Sequence, residues 1–268
     1  MIPTSDALAK WLSHISGKVK LRPKPGMRRL EEAIELNTEA AKIRSTFGDQ
    51  EFQAITGFMD MRGFSSRSKG RSPRGVRDIA APFVATVVEI ACKHESFIDK
   101  TIGDEVMIIM PSFGEDVALS DIGLKETTEP FLFRLSDLLA DLMELLSVRV
   151  PGAVFTGGFA IGRIILDEVG ATNYRELTAY GNSVNAAKRL QALAGEHKTD
   201  SASTGWHRLA VGALKDEEPG YEQELNSWLE VSSHIGRLQL ISASVSTTEC
   251  KGVGPVSYLS ADLGLKME

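Results

Sequence analysis

The order of elements in the sequence predicts a mixed α/β fold, an α+β sandwich with helices packed on a sheet, while composition and cysteine count make the chain globular and free of a disulfide framework. The elements follow one another as strand, helix, hairpin, helix, strands, helix, an alternation that closes a two-layer domain. Of 268 residues, 43% are hydrophobic and 25% charged, the balance of a globular chain able to bury a core. The two cysteines, Cys92 and Cys250, are too few for a disulfide framework and too dispersed for a zinc site. No repeat or low-complexity tract interrupts the pattern.

The charge balance and hydropathy narrow the function. Thirty basic against 36 acidic residues give a net charge of -6, which argues against a dedicated nucleic-acid binder. The most apolar stretch, residues 79–92, contains Pro82 and Glu89 and is too short to span a bilayer. Residues 1–20 carry Asp6, Lys10, His14 and Lys18 and offer no signal-peptide core. The expected location is the cytoplasm, a reducing compartment.

Residues 1–50 read as a helical N-terminal arm. Leu8, Trp11, Leu12 and Ile15 mark one side of a helix over 4–15. Residues 18–29 hold six basic residues with Pro23, Pro25 and Gly26; the run is either a solvated linker or a contact for a phosphate or partner. A second helix, rich in Glu and Ala, covers 30–44.

The body, residues 51–268, opens with a mostly apolar run over 52–60, read as a buried strand. A glycine turn at 61–65 follows. Ser72 is a good N-cap and Pro73 a good first residue for a helix to about residue 94, with Val76, Ile79, Ala80, Phe83, Val87 and Ile90 at helical spacing. Residues 97–102 and 105–110 form a hairpin around Gly103-Asp104. Pro130 opens a helix over 128–148 that turns Leu135, Leu138, Leu139, Leu142 and Leu146 inward. Residues 153–170 read as two strands hinged near Gly162. After a strand at 175–180, Ser183 is expected to cap a helix that Gly195 ends. Residues 215–236 are more polar, a surface excursion.

The chemistry begins with Asp60, which ends a buried strand before a glycine turn, and Asp104, at the tip of the hairpin expected beside it. Each is an ordinary turn residue taken alone. Together, two carboxylates at adjacent strand ends suit a pair of divalent ions, Mg²⁺ or Mn²⁺, in phosphoryl transfer. The turn Arg62-Gly63-Phe64-Ser65 leaves a strand for a helix, which aims backbone N–H groups forward in a way that favours phosphate. Arg62, Arg67, Lys69, Arg71, Arg74 and Arg77 surround it.

These segments resemble a known family. GFMDMRGFSSRS looks like the metal-binding start of the class III nucleotidyl cyclase catalytic domain, and FIDKTIGDEVMIIM resembles that family's second metal segment. GGFAIGRIILDEVG is similar to its glycine-spaced strand pair, ELTAYGNSVNAAKRLQALAG to its catalytic strand and helix, and CKGVGPVSYLS to its closing lysine-glycine segment. The match spans about residues 52–260 in the family's order. It implies a ferredoxin-like βαββαβ core on a mainly antiparallel sheet, and a phosphorus-oxygen lyase that makes a 3′,5′-cyclic nucleotide and pyrophosphate.

The resemblance also implies roles. Asp60, Asp104 and the Met61 carbonyl would bind two divalent metal ions, and Gly63, Phe64 and Ser65 would cradle the β- and γ-phosphates. Asn185 and Arg189 match the family's transition-state pair; four residues apart, they share one helix face. Lys251 resembles the lysine on the terminal phosphates. In the family, metal aspartates come from one protomer and the base-reading and Asn/Arg residues from the other, which implies a homodimer with composite sites. None of the five histidines falls in these segments; they read as structural or surface residues.

Lys100 and Thr178 match the two base-reading positions of members acting on ATP, with threonine in place of the commoner aspartate. A Thr hydroxyl donates or accepts, so uracil and cytosine also fit, whereas the Glu/Cys pair of guanylate cyclases is absent there. The compact organisation resembles the pyrimidine cyclases of antiphage defence, which make cyclic UMP or cyclic CMP for an effector. That reading leads; an adenylate cyclase making cyclic AMP and an inactive cyclase-like regulatory dimer are the alternatives. Asp167 departs from the glycine the family usually has in that strand.

Overall fold

The computed structural model describes residues 51–94, 96–111, 128–171, 174–196, 206–214 and 237–265. The arm of residues 1–50, with its expected helices and basic run, and the polar stretch 215–236 lie outside the described residues. The described residues therefore do not test the boundary drawn at residue 50.

The first strand, β1 (Phe52–Met61), is buried without interruption from Ala54 to Met59. A strand covered on both faces needs such an apolar run rather than alternation. A short helix, α1 (Phe64–Ser68), follows. Helix α2 (Pro73–Lys93) begins as its sequence dictates: the Ser72 hydroxyl accepts from the Gly75 N–H at 3.3 Å, and Pro73 fills the first position. Ala80, Phe83, Val87 and Ile90 line its buried side. Strands β2 (Phe97–Ile102) and β3 (Glu105–Pro111) form the hairpin, with Gly103 at a φ of 67°.

Helix α3 (Thr128–Arg149) buries Leu135, Leu138, Leu139, Leu142 and Leu146 and packs on α2. Then come β4 (Phe155–Ala171), β5 (Tyr174–Tyr180), α4 (Asn182–Glu196), β6 (His207–Leu214), β7 (Leu238–Cys250) and β8 (Gly254–Leu265).

The strands form one eight-stranded sheet in the order β2-β3-β1-β4-β6-β8-β7, with β5 paired to β4. Its first half, β1-α2-β2-β3-α3-β4, has the βαββαβ connection and the 2-3-1-4 strand order of a ferredoxin-like core. The sandwich expected from the sequence is therefore the fold observed. Only β4 and β6 pair in parallel among the described strands; a parallel pair needs a crossover, and α4 lies in it. No helix of the described residues is long and apolar enough to cross a membrane.

Two sequence expectations need correction. Residues 155–171 form a single strand rather than two hinged at Gly162. Gly162 pairs in register with Ala54, and the strand changes partner further on, from β1 at Ile164 to β5 at Ile165. The ladder thus holds the chain extended through the glycine. Ser183 does not cap α4 either: the Gly181 carbonyl accepts the Val184 N–H at 3.2 Å, which closes the first turn from Asn182 onward. The Ser183 hydroxyl is left buried without a hydrogen-bond partner among the described residues. Gly195 lies inside the last turn, and the helix ends at Glu196.

The position of α4 depends on one missing side chain. A Cβ on Gly158 would stand 2.0 Å from the Gln191 nitrogen and 2.4 Å from the Ala187 oxygen. Glycine in β4 is what lets the helix backbone touch the sheet.

Candidate active site

Asp60 sits near the end of β1, opposite Thr156 of β4. Strand alternation turns Asp60, like Phe58, toward the face that carries α4, and Lys188 of that helix stands 5.3 Å from the Phe58 ring centroid. The Thr156 hydroxyl donates to Asp60 Oδ1, and the Gln191 amide nitrogen donates to Oδ2 at 2.7 Å. Burial raises the Asp60 pKa against the Thr156 hydrogen bond, and the nearby Glu105 charge raises it further. Asp104, in the β2–β3 turn, accepts the Met61 N–H at 3.1 Å on Oδ2. Its pKa is also raised, first by burial and in part by the charge of Asp60. The structure thus brings Asp60, Met61 and Asp104 together.

The donor set suits a hard divalent cation. Both carboxylates are raised in pKa, first by burial, then Asp104 in part by the charge of Asp60 and Asp60 in part by that of Glu105, so the pair is costly to ionise without a cation. Among the described residues no group of three or more His, Cys, Asp or Glu gathers to hold a metal. Mg²⁺ does not require such a group: it takes one or two carboxylates and completes its shell with water and phosphate.

The turn after β1 faces open space. Gly63 has a φ of 75°, a left-handed conformation that glycine adopts without strain, and a Cβ there would meet nothing within 4 Å. It precedes Phe64 and Ser65 at the start of α1, whose first turn has no acidic residue and no side-chain cap. Several neighbouring basic side chains are committed locally. Arg67 donates to the Gly152 carbonyl at 3.3 Å, Arg71 to the Arg67 carbonyl at 2.7 Å, and Arg77 to Asp78 at 2.5 Å.

The remaining candidates lie elsewhere. Asn185 and Arg189 are both exposed on α4. Asn185 lines a cleft of about 710 Å³ with Glu51, Arg163, Tyr180 and Asn182. Arg189 lies close enough to Cys250 for its charge to oppose the burial that raises that thiol's pKa, so it stands near the β7–β8 turn that carries Lys251. At about 100° per residue, Arg189 and Gln191 point to nearly opposite sides of α4. Within one chain, therefore, Asp60 meets the Gln191 side of α4 while Arg189 points away from it.

Lys100 and Thr178 meet directly: the ammonium donates to the hydroxyl at 3.1 Å. Beside them is a residue that motif reading passed over. Asp99 accepts the Thr178 hydroxyl at 3.0 Å and the Ala179 N–H at 2.9 Å, and stands 3.1 Å from the Lys100 ammonium. Gln191 and Thr156, the two donors on Asp60, were missed likewise. A signal for Gln191 existed in the helical spacing that sets it opposite Arg189; none marked Thr156.

No family model matches the chain. The terminal-differentiation-specific adenylate cyclase of Dictyostelium discoideum is 29% identical over 171 residues, 63% of this chain and 8% of that protein. The chain thus spans a small part of that relative's length. Among solved structures, the adenylyl cyclase CyaB from P. aeruginosa superposes with a TM-score of 0.53 at 16% identity, covering 81% of this chain and 96% of the other. The guanylyl cyclase Cya2 superposes at 0.51 and 15% identity, covering 81% and 94%. The chain has the fold of the adenylyl and guanylyl cyclase catalytic domains.

Proposed function

We propose that the protein is a nucleotidyl cyclase, converting a nucleoside triphosphate to a 3′,5′-cyclic nucleotide and pyrophosphate in a homodimer with composite sites. One observation carries this reading: Asp60 and Asp104, 44 residues apart in the chain, meet at the Met61 backbone beside an uncapped glycine turn. The adenylate cyclase relative and the shared fold support it.

In this reading Asp60, Asp104 and the Met61 carbonyl hold the divalent ions, which when bound supply positive charge to the phosphates and favour ionisation of the ribose 3′-hydroxyl. Gly63, Phe64 and Ser65 receive the β- and γ-phosphates of the same substrate. The second chain contributes the rest. Its Asn185 orients the ribose, Arg189 meets charge gathering on the α-phosphate, Lys251 holds the pyrophosphate, and Lys100 with Thr178 reads the base. The 3′-hydroxyl gives its proton to solvent water, its oxygen bonds the α-phosphorus, and the bond to the oxygen of the leaving pyrophosphate breaks.

The base has two readings. The adenylate cyclase relative supports ATP, while UTP or CTP, with a role in antiviral signalling, is the reading that led from the sequence. Purified protein is incubated with ATP, GTP, CTP or UTP and Mg²⁺ or Mn²⁺, and the products are identified by mass spectrometry. Any cyclic nucleotide as the dominant product bears the cyclase reading out; cyclic CMP or cyclic UMP favours the pyrimidine reading, cyclic AMP overturns it in favour of ATP, and cyclic GMP contradicts both base readings. No cyclic product from any of the four contradicts the cyclase reading and favours a regulatory dimer.

A further inference from the structure

We propose that Asp99 is a specificity-determining positioning residue: it accepts the hydrogen bond of the Thr178 hydroxyl, so that Thr178 reads the nucleobase as an acceptor and the site prefers the amino bases, adenine and cytosine. The inference rests on the cyclase reading and deepens it.

The placement of Asp99 comes from an irregularity in β2. Adjacent strand residues normally face opposite sides of a sheet, which would part Asp99 from Lys100. Here the β2–β3 register shifts between Ile98 and Lys100, and an extra residue of this kind re-aims a side chain. Asp99 and Lys100 both reach Thr178 of β5 as a result.

The proton count then follows from the hydrogen bonds. The Asp99 side chain is 1% exposed, so its partners are protein groups rather than bulk water. Oδ1 accepts the Ala179 N–H, while Oδ2 accepts the Thr178 hydroxyl and faces the Lys100 ammonium. A carboxylate only accepts, and a threonine has one hydroxyl proton, so that proton is committed to Asp99. Lys100 occupies one lone pair of Thr178 Oγ1. One acceptor lone pair remains on Thr178, and one N–H remains on Lys100.

The order of the two matters. Thr178 is 7% exposed whereas the Lys100 side chain is 36% exposed. The exocyclic group of a base projects beyond its ring and reaches the recessed hydroxyl; the long lysine meets the ring nitrogen beside it. Adenine and cytosine present an amino donor and a ring acceptor, matching both. Guanine and uracil present an oxygen and a ring N–H, which set acceptor against acceptor and donor against donor. A buried mismatch of this kind is costly.

Asp99→Asn tests the assignment. The amide oxygen still accepts from Ala179, while its NH₂ now donates to Thr178 and frees the hydroxyl proton to point outward. Two quantities are measured in the full chain: kcat/KM for the four triphosphates, and equilibrium binding of the four 3′-deoxynucleoside triphosphates, which cannot cyclise. We expect the wild type to favour ATP or CTP over GTP and UTP, and D99N to reduce that ratio by about tenfold or more in both measurements. Asp99→Ala, which removes the acceptor of the Thr178 proton and so also frees the hydroxyl to donate outward, should lower the ratio in the same direction even if D99N does not fold. A wild type that prefers GTP or UTP, or an unchanged ratio in the folded variants, overturns the proposal. Binding without cyclisation would defeat the cyclase reading and still decide the role of Asp99 by the binding ratio; no binding of any triphosphate would defeat both.

Discussion

The Gln191 amide donates to Asp60 Oδ2 at 2.7 Å, tying helix α4 to the end of β1 across 131 residues of chain. The exposed face of that helix carries Asn185 and Arg189. In a dimer with composite sites, each α4 would thus buttress the metal ligand of one site and supply the polar pair of the other.

Removing that hydrogen bond should loosen Asp60. Partners that orient a metal ligand typically account for about 10–100-fold in affinity, so Gln191→Leu should weaken Mn²⁺ binding by about tenfold in an electron paramagnetic resonance titration. Unchanged affinity in the folded variant would show that Gln191 only fills space.

Asp104→Asn separates stability from catalysis. Burial and the Asp60 charge raise the Asp104 pKa, so ionising it in the metal-free protein is unfavourable, and the neutral amide should leave Tm unchanged or higher in EDTA. The same variant should lose the Tm gain that Mn²⁺ gives the wild type, and lower turnover by about a thousandfold or more. A variant that keeps its Mn²⁺-dependent gain would move the metal site elsewhere.

His207 should make the fold acid-sensitive. It is buried, accepts the Phe155 N–H on Nδ1 at 3.3 Å, and burial lowers its pKa to about 4. The unfolded chain takes up its proton near pH 6.5, so the contribution of His207 is complete above that pH, falls as pH drops toward 4, and levels off below. The total is about 3 kcal/mol. Asp60, Asp99 and Asp104, whose pKa values are raised, act in the opposite sense. Comparison with His207→Gln cancels them: in urea unfolding, the wild type should lose more stability than the variant between pH 7 and pH 4.5. Parallel curves would rule out His207 as the cause.

Much of this architecture could be read from particular residues. The apolar run of β1 marks a central strand, Ser72-Pro73 marks the start of α2, and Gly103-Asp104 marks the hairpin that presents Asp104. What escaped the sequence depends on partners. Gly162 reads as a hinge until the ladder with β1 is known, and Ser183 reads as a cap although backbone closes the turn first. Asp99 is hidden by strand alternation, which the irregularity in β2 overrides. Asp60, Asp104 and the Asn185/Arg189 pair stand at element ends or on an exposed helix face, where motif spacing shows them. Their supports, Thr156 and Gln191, come from distant elements that only the fold brings to Asp60.

The central claim, that one site draws on both chains, is tested most directly by complementation. Asp60→Ala and Arg189→Ala are each expected to be inactive alone. Mixed so that subunits exchange, half the dimers become hybrids with one intact site of two, and activity should return to about a quarter of wild type. Recovery near that level is the predicted result; a mixture as silent as its components, with hybrid dimers verified and the wild type active, would contradict the account.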